Sequence, residues 1–162
     1  MGRLVPAANP WTLLRAVASA WATALVLKRL AARLPFDELL RRLRIGKPFP
    51  GELATPTLHL RVVNRLLRVL PPSEMGPCMK RSLLLLHLWS RCGLAPRLHL
   101  GVARAGEEGF RAHAWLTADV GGAHLAAGSG DGYAEAFVFP QAGERPAGDE
   151  GASGRSLPSG TR

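Results

Sequence analysis

Apolar residues recur at three- and four-residue intervals as far as Cys92, and at two-residue intervals beyond Gly93. The first spacing buries one side of a helix and the second one face of a strand. The change of period therefore points to an α+β fold: a helical amino-terminal half and a central helix, packed on a small antiparallel sheet. Proline and glycine mark the boundaries. Asn9-Pro10 reads as an N-cap followed by proline at the first helical position, opening a helix to about Leu34. Leu14, Val17, Trp21 and Leu25 form its expected apolar face, and Pro35 ends it because a residue before proline is pushed out of the helical region. A second helix over Phe36 to Arg44 turns Phe36, Leu39, Leu40 and Leu43 inward. The stretch Gly46 to Gly51, with Pro48 and Pro50, is a turn-rich connector.

Thr55-Pro56 opens a third helix to about Leu70, with Leu60, Val63, Leu66, Leu67 and Leu70 on its apolar side, and Pro71-Pro72 breaks it. A fourth runs from Pro77-Cys78 to Cys92, with Gly93 as its left-handed cap. Strands are expected over Leu98–Ala103, Gly109–Thr117, Ala123–Ala127 and Ala136–Phe139, with turns at 106–109 and Gly121-Gly122. The sequence thus divides into a basic helical prefix (1–72), a core (73–140) and a tail (141–162). The tail holds seven Gly or Pro and no aromatic residue, a composition that predicts disorder.

Charge follows the same division. Residues 1–72 hold 12 Lys/Arg and 3 Asp/Glu, whereas residues 73–162 hold 9 of each, so the whole +9 excess sits in the prefix. Basic charge alone attracts any polyanion. No zinc finger, RNA-binding signature or basic patch interleaved with aromatics accompanies it, so nucleic acid is not an expected partner. A solvated basic face, or a surface for an acidic peptide, an acidic partner or anionic lipid, fits better. The longest uncharged apolar stretch, Ala16 to Leu27, has 12 residues, against the roughly 20 needed to span a bilayer. It imitates a signal-peptide core, with Ala18-Ser19-Ala20 in place of a cleavage site. Lys28-Arg29-Leu30 continues the helical pattern, however, and the reading is an amphipathic helix of a cytoplasmic protein, with peripheral membrane contact open.

Two cysteines cannot supply a disulfide framework or a four-cysteine zinc site. Lying 14 residues apart on one helix, they are separated by roughly 21 Å and cannot bridge. Unbridged thiols and no signal peptide point to a reducing compartment. Cys92, after Trp89-Ser90-Arg91, is a packing residue. Cys78 stands in the first turn behind Gly76-Pro77 and ahead of Lys80 and Arg81, where unpaired N–H groups and nearby cations favour a nucleophilic sulfur. Such a nucleophile needs a base. Of the five histidines, His59 and His87 read as surface or packing residues of helices. His113 is a better candidate than these, His99 or His124, because Ala112 and Ala114 leave room beside it. Alternation places Phe110, Ala112, Ala114 and Leu116 on one strand face, and Arg111, His113 and Trp115 on the other.

Several short motifs, in order, resemble one family: Cys78-Met79-Lys80-Arg81-Ser82-Leu83 at a helix start, Gly93-Leu94 at its end, Leu100-Gly101-Val102, and Ala112-His113-Ala114-Trp115. The breaks at Leu34-Pro35-Phe36 and Leu70-Pro71 are similar to its helical prefix, and the likeness covers roughly residues 12 to 139. The family is that of the transglutaminase-like cysteine peptidases that remove leader peptides in lasso-peptide biosynthesis, the microcin-processing B-proteins. The resemblance implies a papain-like arrangement without metal or cofactor, Cys78 as nucleophile and His113 as base. It also implies partners: a lasso precursor peptide, a small leader-recognition protein and a macrolactam-forming cyclase.

The family's third member is an aspartate on the strand after the histidine. Here the corresponding positions are Ala126 and Ala127. Asp131, in Gly128-Ser129-Gly130-Asp131-Gly132, and Asp119 are the candidate replacements; the remaining option is no acid, with a backbone carbonyl or Trp115 orienting the imidazole. Residues 69–77 hold no Gln or Asn for an oxyanion hole, which leaves the Cys78 backbone amide and its helical neighbours. The missing aspartate keeps in view a catalytically weak scaffold bridging precursor, recognition protein and cyclase, and the same acyl-enzyme would serve a related acyl transferase.

Overall fold

The computed structural model describes residues 10–44, 56–71, 75–105, 109–120 and 122–140. Helices α1 (Pro10–Ala31), α2 (Phe36–Arg44), α3 (Pro56–Val69) and α4 (Pro77–Arg91) precede strands β1 (Arg97–Arg104), β2 (Phe110–Val120), β3 (Ala123–Ala127) and β4 (Ala134–Phe139). The strands form one antiparallel sheet in the order β3-β2-β1-β4. The fold is α+β, as the change of period requires. The expected Asn9 cap, the 46–51 connector and the 141–162 tail lie outside the described residues.

Helix α4 is the axis of the molecule. Ser82, Leu83, Leu84, Leu85, Leu86, Leu88 and Trp89 are all buried, so it is enclosed on several sides. The other three helices pack on it, and its remaining side lies on β2 and β1. Gly93 at φ +78 ends it: Leu94 N–H reaches Trp89 O and Gly93 N–H reaches Ser90 O, the paired bonds of a Schellman cap. Trp89 Nε1 donates to Pro56 O at the start of α3, and His87 Nδ1 lies 2.9 Å from Leu43 O in the last turn of α2.

Several expectations are corrected. Helix α1 ends at Ala31 rather than Leu34; its last carbonyl contacts close a turn, with Arg33 and Leu34 N–H both on Leu30 O ahead of Pro35. More consequential, its buried side is Ala16, Ala20, Thr23 and Leu27, while Leu14, Trp21 and Leu25 face outward. Small side chains let α1 approach α3 and α4 closely, and a seam of Leu and Trp would hold it off. Phe36 is also largely exposed, its ring tilted against Phe137 at 6.4 Å, whereas Leu39, Leu40 and Leu43 are buried. The strands run slightly longer than the alternation suggests. β2 continues to Val120 because β3 pairs with its far end, Leu116↔Ala127 through Val120↔Ala123.

Candidate active site

The first turn of α4 is uncapped: Gly76 precedes it without a side-chain cap, and Pro77 has no N–H to satisfy. Lys80 N–H bonds Gly76 O, leaving the Cys78 and Met79 amides of that turn without intrahelical acceptors. Cys78 stands among them, half-buried and unbridged. Lys80 is turned away and donates from Nζ to Pro71 O.

The side chains of β2 divide between two faces. Ala114, Leu116 and Ala118 enter the core shared with α4. His113 and Trp115 are on the opposite face, where the register sets them across from Gly101 and His99 of β1. There the rings form a column. Trp115 stacks on His99 (centroids 5.3 Å, 7°) and on His113 (6.1 Å, 17°), and Tyr133 closes over His113 (5.0 Å, 28°). Space for these rings comes from glycines. A Cβ on Gly101 would stand 2.8 Å from the Trp115 ring and 2.9 Å from Tyr133 Cβ, and one on Gly130 would stand 2.6 Å from the indole. The loop from Gly128 to Tyr133 lies across the indole as a lid, pinned by Tyr133 N–H on Gly130 O.

His99 is itself clamped. Its Nδ1 is 2.5 Å from Glu135 Oε2 and its Nε2 2.8 Å from Thr117 Oγ1. A carboxylate only accepts, so Nδ1 carries hydrogen. Three strands, β2, β1 and β4, thereby fix one end of the column.

β3 stops at Ala127, opposite Leu116, so it does not flank β2 at Trp115 or His113. At this open edge Arg81 reaches round from α4: its Nη2 is 2.6 Å from where a Gly128 Cβ would stand, and Trp115 Cβ is 3.1 Å from the same point. Cys78, one turn before Arg81, belongs to the same end of α4. The structure thus brings Cys78 and His113 to neighbouring elements without joining them. Neither side chain makes a hydrogen bond among the described residues.

The candidates for a third member are placed as follows. Asp119 is bound at 3.0 Å to His124 Nδ1, both exposed, and is about 20 Å along the strand from His113. Asp131 is exposed at the tip of the lid, where its own N–H bonds Ser129 Oγ; its carboxylate makes no hydrogen bond among the described residues. Trp115 is the one candidate in ring contact with His113. Nothing in the sequence marks Tyr133 except that it is the chain's single tyrosine, set among glycines. The clamp on His99 joins residues 18 and 36 positions away, which no local pattern reveals.

The hydrogen-bonded thiol–imidazole contact belongs to the other cysteine: Cys92 Sγ is 3.6 Å from His59 Nδ1. Burial raises the Cys92 thiol, with Arg91 pulling the other way, and burial lowers His59. Both shifts favour the neutral forms, so this pair is a packed link between α3 and the end of α4. No cluster of three His, Cys, Asp or Glu suited to a metal ion occurs among the described residues.

Four helices and a four-stranded antiparallel sheet make an α+β core of the transglutaminase-like class. Residues 11–137 match the family model of the transglutaminase-like superfamily, and the chain belongs to that superfamily. No curated protein and no solved structure matches the chain significantly.

Proposed function

We propose that the protein is a cysteine peptidase that removes the leader from a ribosomally made lasso-peptide precursor, with Cys78 as nucleophile and His113 as base. The observation that carries this reading is Cys78 at the uncapped start of α4, the helix that packs on the strand bearing His113, in a chain of the transglutaminase-like superfamily. His113 takes the Cys78 proton as sulfur attacks the scissile carbonyl carbon. The resulting oxyanion is met by the Cys78 and Met79 amides and the positive end of α4. His113 then gives its proton to the leaving amine, and water, deprotonated by His113, releases the acyl group and restores the thiol. Because His113 lies on the sheet face away from α4, the reading requires the bound peptide to bring thiol and imidazole together round the open edge of β2, where Arg81 already crosses. In place of a carboxylate, the stack of Trp115 and Tyr133 orients the imidazole. The leader-recognition protein presents the precursor, the cyclase receives the core peptide, and the work is done in the cytoplasm.

The unjoined dyad and the missing aspartate favour one second reading, a weakly active scaffold. Acyl transfer to an amine would use the same thioester. Mass spectrometry of the precursor, incubated with the recognition protein and wild type, Cys78→Ala, His113→Ala or Asp131→Ala, separates these. The expected result is leader loss with wild type, none with the first two variants, and little change with Asp131→Ala. Undiminished cleavage by Cys78→Ala overturns the mechanism. An intact precursor with wild type supports the scaffold, and a mass gain equal to an added amine supports the transferase.

A further inference from the structure

Helix α1 is apolar on two opposite sides, and only one is used by the fold. Its seam of Ala16, Ala20, Thr23 and Leu27 is buried. Leu14, Trp21 and Leu25 fall within about 40° of one another around the axis and about 150° from that seam. They are 58%, 42% and 60% exposed, and Trp11 one turn earlier is exposed as well. Isolated apolar residues on a surface are ordinary, but a stripe running three turns or more marks an interaction surface.

The charge beside the stripe has one sign. α1 carries Arg15, Lys28 and Arg29 and no acid, Arg33 follows, and the first acid of the chain is Asp37. Apart from the indole N–H, the stripe offers no hydrogen-bonding side chain. Protein interfaces average about one hydrogen bond per 100–200 Å², whereas a lipid surface asks for none. Indole rings favour the boundary between headgroups and acyl chains, and Lys and Arg stems lie along apolar surface with their charges at the phosphates.

We propose that α1 docks on an anionic lipid bilayer, lying flat with Leu14, Trp21 and Leu25 inserted and Lys28 and Arg29 against lipid phosphates. Its 22 residues are long and apolar enough to cross a membrane. The buried seam, however, is held by α3 and α4, so the folded protein has one face to give and lies on the bilayer rather than through it. Docking is independent of the peptidase reading.

Flotation of the full chain with vesicles tests this. Vesicles of equal parts phosphatidylcholine and phosphatidylglycerol are expected to carry the protein up, with a blue shift of tryptophan emission, and pure phosphatidylcholine vesicles to leave it behind. Trp21→Ser with Leu25→Ser, and separately Lys28→Gln with Arg29→Gln, are each expected to weaken binding about tenfold or more, a step of ~1.4 kcal/mol. Circular dichroism and thermal melting confirm that these exposed substitutions leave the fold intact. Failure of wild type to float, equal binding to both vesicle types, or binding unchanged in both variants overturns the proposal. So does a wild-type dimer that Trp21→Ser with Leu25→Ser converts to monomer, since the stripe would then be covered by a second copy.

Discussion

Trp115 stacks on both His99 and His113 of the outer sheet face, and it does so in space that only glycine leaves. A methyl group on Gly130 would meet the indole at 2.6 Å, well inside contact distance, and a ring wedged between a strand and a lid has little freedom to give way. Gly130→Ala is therefore expected to lower stability by ~1–3 kcal/mol in urea unfolding. Where the mutant folds, Trp115 is displaced and His113 with it. Tyr133 touches the imidazole more directly, its ring stacked on His113, and under the proposed function it is a positioning residue. Under the proposed function, Tyr133→Ala is expected to lower kcat for leader removal by up to about 100-fold, the cost of a misplaced reacting group. Tyr133→Phe keeps the stack and should retain most of the rate. Equal losses in the two variants would assign Tyr133 a chemical rather than a positional part.

At the scale of the element, α1 shows how a hydrophobic pattern can identify a helix and still misplace its face. Leu14, Val17, Trp21 and Leu25 have helical spacing, and so do Ala16, Ala20, Thr23 and Leu27. In a helix with apolar residues nearly all round, periodicity carries no phase, and size is a poor guide because close packing selects the small side chains. The prediction that follows is asymmetric. Ala20 is fully buried, so Ala20→Leu should cost ~1–3 kcal/mol in thermal or urea unfolding, while Leu25→Ser on the opposite side should fall within ~0.5 kcal/mol of wild type. In α2 the charged residues Asp37, Glu38, Arg41 and Arg42 do fix the phase of Leu39, Leu40 and Leu43, whereas α4, enclosed on several sides, was legible in its bounds, Pro77 and Gly93. Within the site, Cys78 and His113 could be singled out because helix position and strand alternation are local properties. The His113–Tyr133 stack and the Glu135–His99–Thr117 clamp depend on strand register and on a loop folding back, which local spacing does not encode.

For the whole molecule, the buried histidines tie stability to pH. His59 lies between α3 and Cys92, and His87 is held on the Leu43 carbonyl between α4 and α2. Burial is the main cause that lowers both below the ordinary 6.5; for His87 the Leu43 hydrogen bond opposes it and Arg91 adds to it. The folded chain thus binds fewer protons than the unfolded chain once the pH drops under 6.5. Stability is complete above that value and declines as acid protonates the unfolded imidazoles, until the lowered folded values are reached. For His59, almost wholly enclosed, the slope approaches ~1.4 kcal/mol per pH unit. Exposed pairs such as Arg41–Asp37 add little to the same range. Net charge is a competing cause, because a chain already at +9 repels itself further as histidines charge. Salt separates the two: it screens repulsion between surface charges but does not rehydrate a buried ring. Urea unfolding between about pH 7 and about pH 5 should therefore show an acid loss that persists at high salt and shrinks in His59→Gln. An acid loss abolished by salt would assign it to the basic prefix instead.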